Sequence, residues 1–369
     1  MREVTNNGVT LSYPDEIGFA FNPCLLIASG DKLAKMSIVV SYGERKETIW
    51  LDAMAGRCYA DVREYIQTFF DTMVFSAVAV DYDREGKTGM GKRVSFTIVA
   101  TKEDEANTVV SFSFDVFYIW GALKVGGQEA YNSYRTLTWF RGFPFTVGVY
   151  AAGGGSIMFS KDGVADRFVN LPEQGVWNIP MKSTDDAKRY YLLSDCTGAF
   201  VEVTFDSTFD MTFRYSNVGT KTEKIRINVV DDYNEGYYLR WINRHGFYCY
   251  YLFKTGDEAR KVASDGLFMR NNLLAYDMSY GYQGYTGRQQ QMSREDTIPV
   301  CAPLVDSDTW DMLFDIATSP CVDLFAGYKD GVAKWLPVTI VPGSYTKTKV
   351  VLQDFVCSIV MPDVSIQKL

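Results

Sequence analysis

Val109-Val110-Ser111-Phe112-Ser113-Phe114-Asp115-Val116-Phe117-Tyr118-Ile119 is the stretch that decides the fold. Apolar and polar side chains alternate through its middle, and its end runs apolar. A period of two places one set of side chains in a core and the other in water, which is the signature of a half-buried strand. Upstream, Arg93-Val94-Ser95-Phe96-Thr97-Ile98-Val99 keeps the same period, and the polar segment 102–107 reads as the turn between the two.

Working outward, the same texture recurs. Residues 18–21, 25–28, 36–40 and 47–51 are short apolar strands, with a turn at 43–46. Residues 135–140 and 145–150 read as a hairpin around Gly142-Phe143-Pro144. Residues 200–205 and 224–230 alternate cleanly, as does the final strand through Phe355, Cys357, Ile359 and Met361. Two segments break the pattern. Val62, Tyr65, Ile66, Phe69 and Phe70 fall on one helical face, with Asp61 as N-cap and Glu64 at capping-box spacing. Trp310, Leu313, Phe314 and Ala317 share a second face, capped by Ser307 or Asp308 and stopped at Ser319-Pro320.

The expected class is therefore mainly β, with two or more β-sandwich-like domains and a few short helices packed on the sheets. Glycine runs bend freely, so the run Gly153-Gly154-Gly155 is the expected hinge, a long hairpin loop being the competing reading. That gives a domain over 1–150 with a helix near 61–71, and one or more over 151–369 with a helix near 307–318.

The 369 residues carry 37 Lys and Arg against 45 Asp and Glu, a net charge of −8. No long basic run is present, which argues against nucleic-acid binding. The seven cysteines are widely spaced and sit mostly in apolar strings, so buried free thiols and a reducing compartment are expected. Residues 1–7 show no charged-then-apolar signal pattern, and no apolar run reaches the ~20 residues of a bilayer span. Neither export nor membrane insertion is expected.

Catalytic chemistry is sparse. His245 is the single histidine and lies in a turn, so a nucleophile–histidine site has little to draw on. Cys249 is its one nearby thiol, which is too few donors for zinc. The segment 86–92 is glycine-rich, but its order is wrong for a phosphate loop. Asp231-Asp232, Glu295-Asp296 and Asp306 with Asp308 offer carboxylates for a glycoside hydrolase, the least favoured reading. No enzyme, cofactor or metal is expected.

Aromatics make up 15% of the chain, 24 Tyr, 24 Phe and 7 Trp. They crowd residues 237–253, where Asn243-Arg244-His245-Gly246 reads as the turn of a hairpin, and the Tyr- and Gly-rich stretch 276–287. Rings with a polar tip suit both protein interfaces and sugar faces. The candidate interaction surface is thus Trp241, His245, Tyr248, Tyr250, Tyr276, Tyr280, Tyr282 and Tyr285. A carbohydrate-binding or adhesin module, with Trp241 and Tyr282 as platforms, is the alternative function.

The hairpin also carries a resemblance. Leu239, Trp241, Asn243 and Gly246, followed by Tyr250-Tyr251-Leu252-Phe253, resemble a signature of virion tail proteins of phages and prophages of gut Bacteroidales. The capped helix at 61–70, Thr318-Ser319-Pro320 before a strand, and Lys334-Trp335-Leu336-Pro337 with Gly343-Ser344-Tyr345 agree in order. His245-Gly246 departs from the more usual pair of small residues in that turn, but the glycine that bends the chain is kept. The resemblance implies a distal-tail or baseplate-like protein that forms a ring, holds receptor-binding parts and contacts other tail proteins, with host surface glycans as further partners. It also implies assembly in the bacterial cytoplasm and a final place in the virion tail.

Overall fold

The computed structural model describes the chain apart from residues 71–85, 88, 123–135, 153–154, 162–163, 172, 184–189, 194–199, 204–208, 216–220, 232–234, 245, 265–266, 272–284, 290–291 and 363–369. It is mainly β, with several sheets and few short helices. The chain forms two compact units. The first holds Met1–Tyr233, Arg240–Tyr251 and Tyr328–Ala333; the second holds Asn234–Leu239, Leu252–Gly327 and Lys334–Leu369.

The stretch that opened the sequence reading is an inner strand of the first unit. Val109–Ile119 pairs antiparallel with Gly91–Lys102, which pairs with Leu33–Tyr42, which pairs with the edge strand Arg45–Asp52. Ile17–Phe19 adds a parallel strand on the other side. Alternation sends Met36, Ile38, Val40, Val94, Phe96, Ile98, Val110 and Val116 inward, all essentially inaccessible. A four-stranded sheet of Arg2–Asn6, Val9–Tyr13, Leu25–Gly30 and Arg57–Asp61 contributes Val9, Leu11, Leu26 and Ala28 to the core. The two sheets meet where the Tyr13 and Phe114 rings lie 4.4 Å apart and where Cys24 Sγ and Tyr118 Oη share a hydrogen bond of 2.8 Å. Each fully buried Val, Leu, Ile or Phe stabilises by about 1.5–3 kcal/mol. The register therefore cannot slip by one residue without exposing the whole set.

The outward face of the five-stranded sheet is of another kind. In register across four strands stand Trp50, Ser37, Val99 and Ser111, and beside them Thr48, Val39, Thr97 and Ser113. On the other flank of the Trp50 row stand Asp52, Lys35, Thr101 and Val109.

The helix Arg63–Thr68 is shorter than expected, and its N-cap is Val62, with no side-chain cap. Asp61 ends the preceding strand instead. Its Oδ1 accepts from the N–H groups of Cys24 (2.9 Å) and Arg63 (3.1 Å), so it ties the helix start to a neighbouring strand. Val62, Ile66, Phe69 and Phe70 are buried as the helical face demands; Tyr65 is exposed.

Two expectations about residues 135–156 are corrected. Thr136–Phe140 pairs in parallel with Lys221–Val230, whereas Phe145–Ala152 pairs with Gln174–Ser183 in another sheet, so they do not form a hairpin. The turn at Gly142 (φ +90°) instead carries the chain from one sheet to the next, where the Trp139 and Phe145 rings stack at 5.9 Å. The glycine run is likewise no domain boundary. The strands on either side of it, Phe145–Ala152 and Gly155–Lys161, lie in different sheets of one unit.

A seven-stranded sheet runs in the order Tyr248–Thr255, Tyr237–Ile242, Val322–Lys329, Val332–Ile340, Gln353–Val360, Met292–Val305 and Ala259–Ser264. Asp330 and Gly331, both at positive φ, make the tight turn between its third and fourth strands. In the second unit the helix Ser307–Phe314 is capped by Asp306, whose Oδ1 accepts from Thr309 N at 2.8 Å, and not by Ser307 or Asp308. Asp306 is extended (φ −75°, ψ 173°), the geometry a cap needs. The helix continues as a 3-10 turn, Asp315–Thr318. It lays Trp310 edge-on against Phe355 at 5.7 Å.

Candidate interaction surface

The hairpin that carries the family-like signature lies mostly inside the protein. Leu239 and Trp241 are fully buried, and Tyr248 and Tyr250 are 5% and 4% exposed. Three of the eight candidate surface residues, Trp241, Tyr248 and Tyr250, are therefore core. The physical reason is that the strand Tyr237–Ile242 and the start of Tyr248–Thr255 are covered on both faces, which leaves no face for water. Tyr250 Oη meets Thr146 Oγ1 at 2.8 Å, and its ring lies 5.7 Å from that of Phe145. Arg240 is buried too, with its guanidinium 5.1 Å from the centre of the Tyr248 ring. A cation over an aromatic face keeps part of the attraction it gives up on leaving water.

The turn explains what Asn243 and Gly246 do. Asn243 is 3% exposed, and its Oδ1 accepts from Phe247 N at 3.0 Å while its Nδ2 donates to Cys249 Sγ at 3.4 Å. Its backbone N–H reaches Phe247 O at 2.8 Å, and Gly246 N–H returns to Asn243 O at 2.9 Å. Gly246 has φ +77°, and a Cβ there would sit 2.5 Å from the Trp120 carbonyl oxygen. The motif is a structural lock.

His245, Tyr276, Tyr280 and Tyr282 lie outside the described residues. Tyr285 begins the strand Tyr285–Gln289, opposite Asn271 of Leu267–Asn271. Three of the six carboxylates considered for hydrolysis have other partners, and Asp232 lies outside the described residues. Asp296 takes two hydrogen bonds from Arg294 at 2.6 and 2.5 Å, Asp231 pairs with Arg141, and Asp306 caps its helix. Among the described residues, no group of three or more His, Cys, Asp or Glu is placed to hold a metal ion, and no helix is long and apolar enough to cross a membrane. Cys24, Cys58, Cys249 and Cys357 are buried free thiols, Cys301 and Cys321 are half-buried, and Cys196 lies outside the described residues.

Two surfaces that the aromatic count did not point to stand out. The first is a loop of the second unit. Residues 341–352 form a strap across the helix Ser307–Phe314. Tyr345 stacks on Phe355 at 5.6 Å and meets Phe314 edge-on at 5.5 Å. Lys347 Nζ pairs with Asp311 at 2.7 Å and lies 5.8 Å from the Trp310 ring centre. The buried Gln353 then closes the turn, its Oε1 accepting from both the N–H and the hydroxyl of Thr348 at 2.8 Å. This geometry holds Val350, Val351 and Leu352 outward at 57%, 85% and 50% exposure. Leu304, 68% exposed at a bulge with φ +51°, is held to the same strand by the 2.8 Å bond from its N–H to Asp354. A bulky residue in the left-handed region costs of order 1–3 kcal/mol and persists only where its surroundings impose it. The second surface is Trp50, 76% exposed on the edge strand of the first unit. Its signal was in the sequence. Ile49 and Leu51 flank it, and a period of two that turns them inward turns Trp50 outward.

No family model and no curated protein matches the chain. Among solved structures, one described as a "Ca2+-stabilized adhesin" that "helps an Antarctic bacterium reach out and bind ice" aligns over 90% of this chain and 97% of that one. The identity is 11% and the TM-score 0.17, too low for the likeness to bear on fold or function.

Proposed function

We propose that the chain is a structural component of a phage tail tip or baseplate, assembling with further copies of itself into a ring that holds receptor-binding parts. The observation that supports this best is the apolar loop tip Val350-Val351-Leu352 with Leu304 beside it. A flexible loop could hide such residues; this one is stapled by Tyr345, Lys347 and Gln353 with its apolar end in water. Rigid exposed apolar side chains are what a protein contact needs, since each one covered contributes up to about 1.5–3 kcal/mol with little ordering cost. Lys349 adjoins the tip and can pair with a carboxylate on the patch that the tip meets. A tip meeting a different patch of the next copy is a head-to-tail contact, the kind that closes into rings.

The test is the mass distribution of the purified chain in solution, with negative-stain images of any assembly. Wild type is expected to form a closed oligomer, and Val351→Asp to be monomeric with an unchanged circular dichroism spectrum. A wild type that stays monomeric at high micromolar concentration refutes the assembly reading.

A further inference from the structure

The outward face around Trp50 differs from the loop tip in kind, and nothing in the assembly reading uses it. A tryptophan with three-quarters of its surface in water stands on a strand whose neighbours on that face are polar apart from the half-buried Val39. Ser37 is directly opposite, Ser111 lies two strands further on in the same row, Thr48 and Asp52 are two residues away on its own strand, and Lys35 is paired with Asp52. The four strands of that row span about 14 Å at the usual strand spacing. The face thus interleaves hydroxyls with Val39, Val99 and the exposed Val109, keeps Ser37 buried, and carries one aromatic plate at its margin.

We propose that this face binds a neutral oligosaccharide, with one pyranose ring stacked on Trp50. The chemistry selects the ligand class. A pyranose presents an apolar face of C–H groups and a rim of hydroxyls, each both donor and acceptor. Trp50 supplies the plate for the first. Asp52 is an acceptor, Lys35 a donor and Thr48 both, which serves the second. One carboxylate and one ammonium side by side leave little net charge, which favours an uncharged chain over a sulfated or phosphorylated one. A protein partner would look for a contiguous apolar patch of several hundred Å²; here the exposed Thr48, Asp52 and Lys35 border Trp50, and Val39 and Val99 are half-buried among polar residues. The proposal is independent of ring formation and survives its failure.

The experiment is isothermal titration of the full chain with maltohexaose, cellohexaose, mannohexaose and chitohexaose, beside Trp50→Ala, Trp50→Phe and Asp52→Ala. At least one hexasaccharide is expected to bind wild type. Trp50→Ala and Asp52→Ala are each expected to weaken that binding about tenfold, as loss of a stacking plate or a charged hydrogen bond does. Trp50→Phe should fall between, and Val351→Asp should bind like wild type. Asp52→Ala keeps the ring in place, so it decides the matter should Trp50→Ala fail to fold. The proposal is overturned if no hexasaccharide of the panel binds, or if Asp52→Ala and the folded Trp50 variants bind as wild type does. It is also overturned if Trp50→Ala breaks up an oligomer that binds no sugar, which would make the face a protein contact.

Discussion

Replacing Gly246 by alanine tests the claim that the signature hairpin is a structural lock. Two costs are expected at that position. The backbone sits at φ +77°, where an L side chain costs about 1 kcal/mol. The new Cβ would also stand 2.5 Å from the Trp120 carbonyl oxygen and 2.9 Å from Ile119 Cγ2, and backbone cannot step aside as a flexible side chain can. Forced overpacking of that kind costs about 1–3 kcal/mol more. Gly43 supplies an internal control: φ is +58° there, in the same unit, with nothing within 4 Å of the added Cβ. Urea unfolding followed by tryptophan fluorescence should show Gly43→Ala lower by about 1 kcal/mol and Gly246→Ala by about 2–4 kcal/mol. If Gly246→Ala costs no more than Gly43→Ala, the tight fit of turn against carbonyl is not what holds this glycine, and the lock argument falls.

The strap and the thiols give two further expectations. Tyr345→Ala removes two ring contacts, at about 0.5–1.5 kcal/mol each beyond burial, and should speed tryptic cleavage after Lys347 or Lys349; an unchanged rate would show that the strap is held by something else. Burial pushes the Cys24 and Cys357 thiols up to about 12, from 9.0, so the thiolate fraction at pH 8 is about one in ten thousand. Peptide mapping after native alkylation at pH 8 should find both unmodified while the half-buried Cys321 reacts, and Cys301, whose thiol burial also pushes up, reacts more slowly. Because these thiols stay protonated in the fold and ionise in the unfolded chain, the stability they carry is full below pH 9 and is lost as pH rises toward 12. A urea midpoint that holds level across that window would refute the assignment.

The fold was largely readable because period two is a strong signal wherever one face is buried. Phe112 and Val116 point in while Ser111 and Ser113 point out, and four strands read that way fix a register. Pairing partners were less readable. Nothing local in Thr136–Phe140 says that its neighbour is Lys221–Val230, some ninety residues on, and not the adjacent strand. Caps went astray by one or two positions: Asp61, Ser307 and Asp308 are all capping types, and only backbone geometry selects among such neighbours. The surface was least readable. Counting aromatics led to Trp241, Tyr248 and Tyr250, which are abundant rings in the core, while parity alone would have singled out Trp50. Val350–Leu352 gave no signal of their own, since an apolar triplet reads as core until Gln353 and Tyr345 are seen to hold it out.

The division into two units has a mechanical consequence. The chain passes from one to the other after Tyr233, Leu239, Tyr251, Gly327 and Ala333. A pull that separated the units would act on several covalent tethers in parallel, not on one linker, so the load on each is a fraction of the whole. Such multiple stitching gives toughness that no single hinge supplies. It also means that no single cut in the gene releases either unit as a free-standing module.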